Sequence, residues 1–290
     1  MLLSVVLTTG KRICDGIQSD NKVNSIQSLP DKTRIARSFG LAAEKYDQYA
    51  HLQRDIGDKL FAGFSAENAK DILDLGSGTG YCASKLSLKN PFATVISLDL
   101  AEAMLHFAKQ GRQLDQDGLN QSWLCGDAEH LPFSHNSFDL VVSNLTIQWC
   151  ENPHQMFKEL FRVMKPGAQA WVSTLAEKTL QELKESWANI DSYRHVNNFL
   201  SCDSILQSLN AQPFSAINHF HSQEIYFYDS LGSLTGELKG IGAHNQNAGQ
   251  ASGLTGKTKL RKLKQDFEKK NIPGKGIPVT YDLVLLHLVK

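Results

Sequence analysis

Three aspartates stand at the ends of three short apolar runs, and the first of them opens a glycine-rich turn. Asp74 begins Asp74-Leu-Gly-Ser-Gly-Thr-Gly80, which continues the run Asp71–Leu75. Gly76, Gly78 and Gly80 follow a G-x-G-x-G spacing, with Ser77 between the first two. A strand that turns into a helix through glycines lets a ligand reach the backbone and places it at a helix N-terminus. The G-x-G-x-x-G spacing of a dinucleotide site is not met. Taken alone, the loop also reads as an ordinary tight turn. Asp99 lies at the end of the second run, Thr94–Leu100, where a carboxylate can accept both hydroxyls of a ribose. Asp127, followed by Ala128, comes after the third run, Gln121–Cys125, where an acceptor can take the exocyclic amine of adenine. Each aspartate by itself fits a loop or a cap. Three at successive strand ends, on the carboxyl edge of one sheet, point to a nucleoside ligand.

The elements that must position them alternate. β-like runs at Asp71–Leu75, Thr94–Leu100, Gln121–Cys125, Phe138–Ser143 and Ala168–Leu175 are separated by helical stretches at Ala83–Lys89, Ala103–Gln113 and His154–Met164. That order predicts a doubly wound, mostly parallel α/β sheet. Before it, Ile35, Phe39, Ala42, Tyr46, Tyr49, Leu52, Ile56 and Leu60 recur at helical spacing, predicting one or two amphipathic helices. After it, helices are expected over Leu180–Ile190 and Cys202–Leu209, and strands over Ile217–Tyr228 and Thr280–Lys290. The last two strands lack a simple helical crossover and are read as an antiparallel pair. Between them, 229–278 is an insertion rich first in Gly and Asn, then in Lys.

Composition narrows the function classes. The chain has 290 residues, enough for one α/β domain with its own core, and its 30 Lys+Arg balance 30 Asp+Glu. A whole-protein basic field for nucleic acid is absent. The five cysteines are scattered without a C-x-x-C pair, which fits a reducing compartment better than a disulfide framework or a zinc site. No apolar run reaches the roughly 18 residues needed to span a bilayer, so a cytoplasmic protein is expected. Residues 1–30 show no periodicity and are read as a mobile leader.

The three-aspartate constellation resembles that of the class I methyltransferases, which use S-adenosylmethionine. Ser137-Phe-Asp-Leu-Val-Val-Ser-Asn144 and Glu159-Leu-Phe-Arg-Val-Met-Lys-Pro-Gly167 continue the resemblance, with Ala168 where a second glycine is usual. It implies a Rossmann-like, seven-stranded sheet with a terminal antiparallel strand, an N-terminal helical lid (31–66) and a helical insertion before the last strand. It also implies that Asp74, Gly76, Ser77, Gly78, Gly80, Asp99, Asp127, Ala128 and Asn144 hold the cofactor, with no metal. Further segments are narrower: Ala36–Gln53, Asn144-Leu-Thr-Ile-Gln-Trp-Cys150, Leu238-Lys-Gly-Ile-Gly-Ala243 and Val279-Thr-Tyr-Asp282. Together they are similar to the malonyl-[acyl-carrier protein] O-methyltransferases of biotin synthesis.

That resemblance implies methyl transfer from S-adenosylmethionine to the free carboxylate of a malonyl thioester on acyl carrier protein. A carboxylic acid with a pKa near ~4 is already ionised at neutral pH, so the nucleophile needs no general base. Substrate-positioning candidates are Tyr46 and Gln53 in the lid, Gln148 and Trp149 after the fourth strand, Lys239 and His244 in the insertion, and Arg194 and His195. Each also has a plain reading as core aromatic, cap or solvated charge. Lys257, Arg261 and Lys264 share one helical stripe, a docking candidate for an acidic carrier protein or an ordinary surface helix. Two rivals stay open at this point. One is a methyltransferase of a small molecule such as a quinone precursor, and the other is a non-catalytic cofactor-binding protein on the same fold.

Overall fold

A computed structural model of the chain describes residues 31–63, 69–113, 120–243 and 256–290. The leader and His244 lie outside them. The described strands are β1 (Asp71–Leu75), β2 (Thr94–Asp99), β3 (Gln121–Cys125), β4 (Phe138–Asn144), β5 (Met164–Leu175), β6 (Ala216–Tyr228) and β7 (Ile277–Val289). They form one sheet in the order β3-β2-β1-β4-β5-β7-β6. The pairs among β3, β2, β1, β4 and β5 are parallel, whereas β7 runs antiparallel to both β5 and β6. The last strand in sequence is thus wedged between two others in space.

Both faces of the central strands are covered, and this explains their unbroken apolar runs. On one face, Leu73, Val141, Val172 and Leu286 pack with Phe157, Leu160 and Val163 of α5 (Pro153–Val163) and with Ile205 and Leu209 of α7 (Cys202–Asn210). On the other, Ile72, Val95, Leu140 and Val142 meet Leu60 and Phe61 of α2 (His51–Ala62) and Cys82, Ala83 and Leu86 of α3 (Tyr81–Lys89). α5 begins sharply because Asn152 caps Gln155 N at 3.1 Å and Pro153 occupies its first turn. Among the described residues, no helix is long and apolar enough to cross a membrane.

Two elements roof the carboxyl edge of this sheet. α1 (Lys32–Tyr49) starts at Asp31, whose side chain accepts from Thr33 N at 3.0 Å and Arg34 N at 3.2 Å. Such a cap contributes about 1 kcal/mol. α1 packs on α4 (Glu102–Gln113) through Ala43, Ala101 and Met104. Its other neighbour is α8 (Leu231–Gly240). There the approach is so close that a Cβ on Gly240 would collide with the Tyr49 ring, and one on Gly242 would lie 2.8 Å from the Ser38 carbonyl oxygen. Gly242 also has φ +74°, and its own carbonyl accepts Ser38 Oγ at 2.9 Å. The two glycines of Leu238–Ala243 are therefore the seam between lid and insertion.

The remaining helices are α6 (Gln181–Ala188) and α9 (Lys257–Glu268). α9 sits against α6 and α8, with Leu263 and Phe267 fully buried one turn apart. Burial of that kind contributes about 1.5–3 kcal/mol per side chain. Two strand boundaries differ from the sequence reading by more than one residue. β5 starts at Met164 because that residue bridges Phe138 ahead of a register shift, which takes in Pro166 and Gly167. β7 starts at Ile277, opposite Tyr228, so Ile277, Pro278 and Val279 belong to the sheet and the insertion is shorter. Proline is tolerated here because β5 pairs with β7 only from Leu283 to Val289, so Pro278 has a partner strand on one side alone.

Candidate active site

The glycine turn is built by β2 as much as by its own sequence. Leu98 O accepts from Gly76 N at 2.7 Å and Ser77 N at 3.0 Å, tying the turn to the neighbouring strand. Gly76, at φ +74°, has the Thr146 side chain where a Cβ would stand. Gly78, at φ +53°, faces open space, with no atom within 4 Å of a built Cβ. Gly78 N donates to Asp99 Oδ2 at 2.8 Å, and Ala101 N donates to Oδ1 at 2.8 Å. Burial pushes the Asp99 carboxyl up from its ordinary range, against the pull of these amides.

A cavity of about 300 Å³ runs from this turn under the lid. Gly76, Gly78, Asp99, Asp127 and Ala128 line one end, and Asn144, Gln148 and Trp149 stand along it. A smaller recess of about 40 Å³ continues it past Gln53 to Asp74, Ser77, Thr79 and Tyr81. Gly80 lines neither; it precedes α3 at φ +87°. Ser77 Oγ and Gln53 Oε1, both lining the recess, are buried without a hydrogen-bond partner among the described residues. An open glycine cradle, a buried carboxylate and two orphaned polar atoms on one wall fit a zwitterionic amino-acid group joined to a nucleoside.

The Asp127 carboxylate is already engaged. Asp127 Oδ2 accepts Lys32 Nζ at 2.7 Å, and Oδ1 accepts Glu129 N at 3.0 Å. Lys32 also meets Glu129 Oε1 at 2.9 Å. Burial raises the Asp127 pKa, but Lys32 and the Glu129 amide outweigh it and leave the carboxyl below its usual value. The sequence reading did not single out Lys32.

β4 ends in a polar knot. Asn144 Oδ1 accepts Ser173 Oγ at 2.6 Å, while its Nδ2 donates to Gln53 O at 2.9 Å, joining the strand to the lid. Leu145, at φ +55°, redirects the chain into the short turn Ile147–Trp149. The Gln148 amide donates to Leu145 O at 2.7 Å and accepts Thr174 Oγ1 at 3.0 Å, so it is fixed from both ends. Trp149 stands edge-on to Phe39 of the lid, ring centroids 5.1 Å apart. Tyr46 faces the same cavity, and burial raises its hydroxyl pKa strongly, with Asp99 and Asp47 adding to the effect, so it stays protonated. Burial likewise keeps the Cys150 thiol protonated and unreactive.

The far wall was largely invisible in the sequence. It is apolar, made by Leu175, Leu180, Leu183, Trp187, Phe199 and Tyr281, with Lys239 and His195 among the polar residues there. Arg162, by contrast, is spent on structure, pairing with Glu159 and donating to the carbonyls of Leu131 and Phe133. On α9, Lys257, Arg261 and Lys264 are all exposed, and Lys264 Nζ lies 4.0 Å from Glu268. Leu260, which shares their edge of the helix, is 51% exposed.

Comparison with known proteins agrees with this frame. Residues 73–172 match the family model described as a methyltransferase domain. The solved structure of the YcgJ protein from Bacillus subtilis superposes with a TM-score of 0.59 at 17% identity, covering 82% of this chain and 98% of that one. The biotin biosynthesis bifunctional protein BioHC of Cellvibrio japonicus is 42% identical over 92% of this chain and 52% of its own length. The chain thus spans about half the length of the bifunctional relatives it matches. The malonyl-[acyl-carrier protein] O-methyltransferase of Methylococcus capsulatus is 36% identical over 91% of this chain and 95% of its own. A match that runs nearly end to end with such a relative, on a sheet and a glycine turn of this kind, places the chain in the malonyl-[acyl-carrier protein] O-methyltransferase family.

Proposed function

We propose that this protein transfers a methyl group from S-adenosylmethionine to the free carboxylate of a malonyl thioester carried by acyl carrier protein. The observation that carries the reading is one continuous cavity that joins a nucleoside-type site to an apolar chamber. Asp99 would hold the ribose, Asp127 the adenine amine, and the recess beside Asp74, Ser77 and Gln53 the amino-acid end. The cofactor, when bound, supplies a methyl on a sulfonium, a carbon open to attack by an oxygen nucleophile.

The chain's own part is alignment and exclusion of water. The lid side chains Phe39 and Tyr46 close the chamber above Trp149. A carboxylate meeting a sulfonium loses charge on the way to the transition state. Apolar walls such as Leu180, Leu183 and Trp187 therefore favour the reaction, because they solvate the separated charges poorly. No side chain has to take a proton, since the carboxyl group arrives ionised. Near-attack geometry, set by Asn144, Gln148 and Trp149, then supplies the rate.

α9 would serve as the partner's landing surface. Lys257, Arg261 and Lys264 put three cations on one exposed face of α9 in a chain whose charges balance overall. A carrier protein rich in acidic residues complements that face.

Mass spectrometry of malonyl carrier protein after incubation with the enzyme and S-adenosylmethionine tests the reading. A gain of one CH2 on the malonyl group, absent with acetyl carrier protein, is expected. No gain on the malonyl form would overturn it and turn attention to small-molecule acceptors.

A further inference from the structure

Two polar side chains on the far wall of the chamber give their protons to partners that do not line it. The first is His195. It follows α6, which packs on β7, whereas Asp99 ends β2 on the other side of β1, β4 and β5. The His195 side chain is only 14% exposed and lines the chamber. Its ring stacks on Trp187, centroids 3.5 Å apart and planes 10° apart. Nε2 lies 2.7 Å from Asp191 Oδ1. Asp191 Oδ2 accepts Lys259 Nζ at 2.8 Å, and Oδ1 also accepts Tyr193 N at 3.1 Å. The hydrogen bonds from Lys259 and His195 hold the Asp191 carboxyl down to about 2, so it is ionised at neutral pH. An ionised carboxylate only accepts, so Nε2 is the donor, and this fixes the tautomer whose Nδ1 is an acceptor. Nδ1 takes no hydrogen bond among the described residues.

Tyr281 repeats the arrangement. It is buried, lines the chamber, and its hydroxyl lies 3.1 Å from that of Tyr228. Tyr228 Oη donates its one proton to Glu237 Oε1 at 2.9 Å. Tyr281 is therefore the donor to Tyr228, and its own oxygen keeps only lone pairs for a further contact. Burial raises the pKa of both hydroxyls, so both protons stay in place. An apolar wall whose fixed polar groups are acceptors fits a ligand that brings N–H donors into the chamber.

The ionised malonyl group and the thioester carry no N–H or O–H of their own. Carrier proteins hold acyl groups on a pantetheine arm, in which a secondary amide follows the sulfur after an ethylene link. Its N–H is the first donor beyond the thioester. We propose that His195 accepts this amide N–H at Nδ1, and that Asp191 positions the ring by holding its tautomer. This rests on the reading of the substrate as an acyl thioester on such an arm. The ring cannot turn without losing both the Trp187 stack and the Asp191 bond, and a binding contact gains from that fixity. An ester oxygen in place of the amide N–H would set lone pair against lone pair, so the contact selects amide over ester. Because Lys259 belongs to α9, the helix offered as the landing surface is tied through Asp191 to the group that reads the arm.

The test compares the malonyl thioester of N-acetylcysteamine, which has the amide, with that of mercaptoethyl acetate, its ester counterpart. Each is read by its KM as substrate, or by its inhibition constant against malonyl carrier protein. The wild-type enzyme should favour the amide compound about tenfold. The preference should lie in KM rather than kcat, because the amide stands away from the reacting atoms. His195→Phe keeps a ring on Trp187 but has no nitrogen, and it should take both compounds about equally. His195→Asn, whose amide oxygen reaches the place of Nδ1, should restore part of the preference. Asp191→Asn releases the tautomer and should shrink it. Calorimetric affinity for S-adenosylmethionine should stay at the wild-type value in each variant, which also shows that it is folded. Equal treatment of the two compounds by the wild type, or a preference that survives His195→Phe, would overturn the assignment while methylation of malonyl carrier protein stands. If the wild-type enzyme leaves malonyl carrier protein and both compounds unmethylated, the functional reading itself falls and the role of His195 falls with it.

Discussion

Lys32 Nζ lies 2.7 Å from Asp127 Oδ2, so the first residue of α1 is bonded to the carboxylate that follows β3. Burial disfavours the lysine charge, but its bonds to Asp127 and Glu129 prevail and raise its pKa. The Lys32 contribution is full below the lysine's unfolded pKa and fades as pH rises through the raised folded value. The Asp127 contribution is full above its unfolded pKa and fades as pH falls through the lowered folded value. Between about pH 4 and 10 the pair is therefore intact. Both side chains are partly exposed, so the pair contributes no more than about 1 kcal/mol. Lys32→Met should speed amide exchange in the first turns of α1 and leave β1 and β4 unchanged. Equal protection in variant and wild type would mean that the latch carries no load.

Asp99→Ala should weaken S-adenosylmethionine binding without unfolding the chain. Each charge-assisted hydrogen bond lost is worth roughly 1.5–3 kcal/mol. Because the folded pKa of Asp99 is raised, affinity in the wild type should also fall as the solution is acidified toward that value, earlier than for an ordinary aspartate. In Asp99→Asn that part of the pH dependence should vanish. Calorimetric titration reads both, and unchanged affinity would remove Asp99 from the ribose role.

Gly242→Ala should strain the seam between lid and insertion. It places a Cβ 2.8 Å from a backbone oxygen at a positive φ, and neither can be relieved by a side-chain rotation. A cost of about 1–3 kcal/mol is expected. Thermal unfolding should report it as a lowered Tm, and cofactor affinity should drop with it, because Ser38 and Phe39 belong to the helix that closes the chamber. A variant as stable as the wild type would show that the seam is loose.

Reversing Lys257, Arg261 and Lys264 together to Glu should raise KM for malonyl carrier protein strongly at low salt and far less at high salt. Steering by rim charges is screened within a Debye length of about 10 Å at 0.1 M salt. A malonyl ester of a small thiol should be methylated at the wild-type rate. Equal loss on both substrates would assign the helix to the fold rather than to docking.

The alternating core was readable because buried parallel strands must be apolar throughout and their helices must show a stripe, so β1 and β3 were bounded to the residue. The aspartates at the strand ends were readable as a group because turn chemistry and strand ends mark them locally. The chamber's far wall was not. Leu180, Trp187 and Tyr281 look like any core residue in sequence, and only the packing of α6 on β7 shows that they leave space between them. Trp187, Asp191 and His195 recur every fourth residue, which suggests one helix face. Yet the helix stops at Ala188, and stacking and hydrogen bonds make the alignment instead. The sequence reading ran the insertion through Pro278, yet that residue pairs with Phe227 near the start of β7.

The excursion that carries α8 and α9 leaves the sheet after Tyr228 and returns at Ile277, two residues that face each other in the β6–β7 ladder. Its two ends are therefore about 5 Å apart, anchored on hydrogen-bonded neighbours. A length of chain closed in this way can grow, shrink or be exchanged beyond its seam with α1 without shifting the register of any strand. The frame thus separates two kinds of inheritance. On the proposed function, the donor site would be written into the sheet, while the choice of acceptor would hang on a graft that keeps Gly240 and Gly242 beside Tyr49 and Ser38.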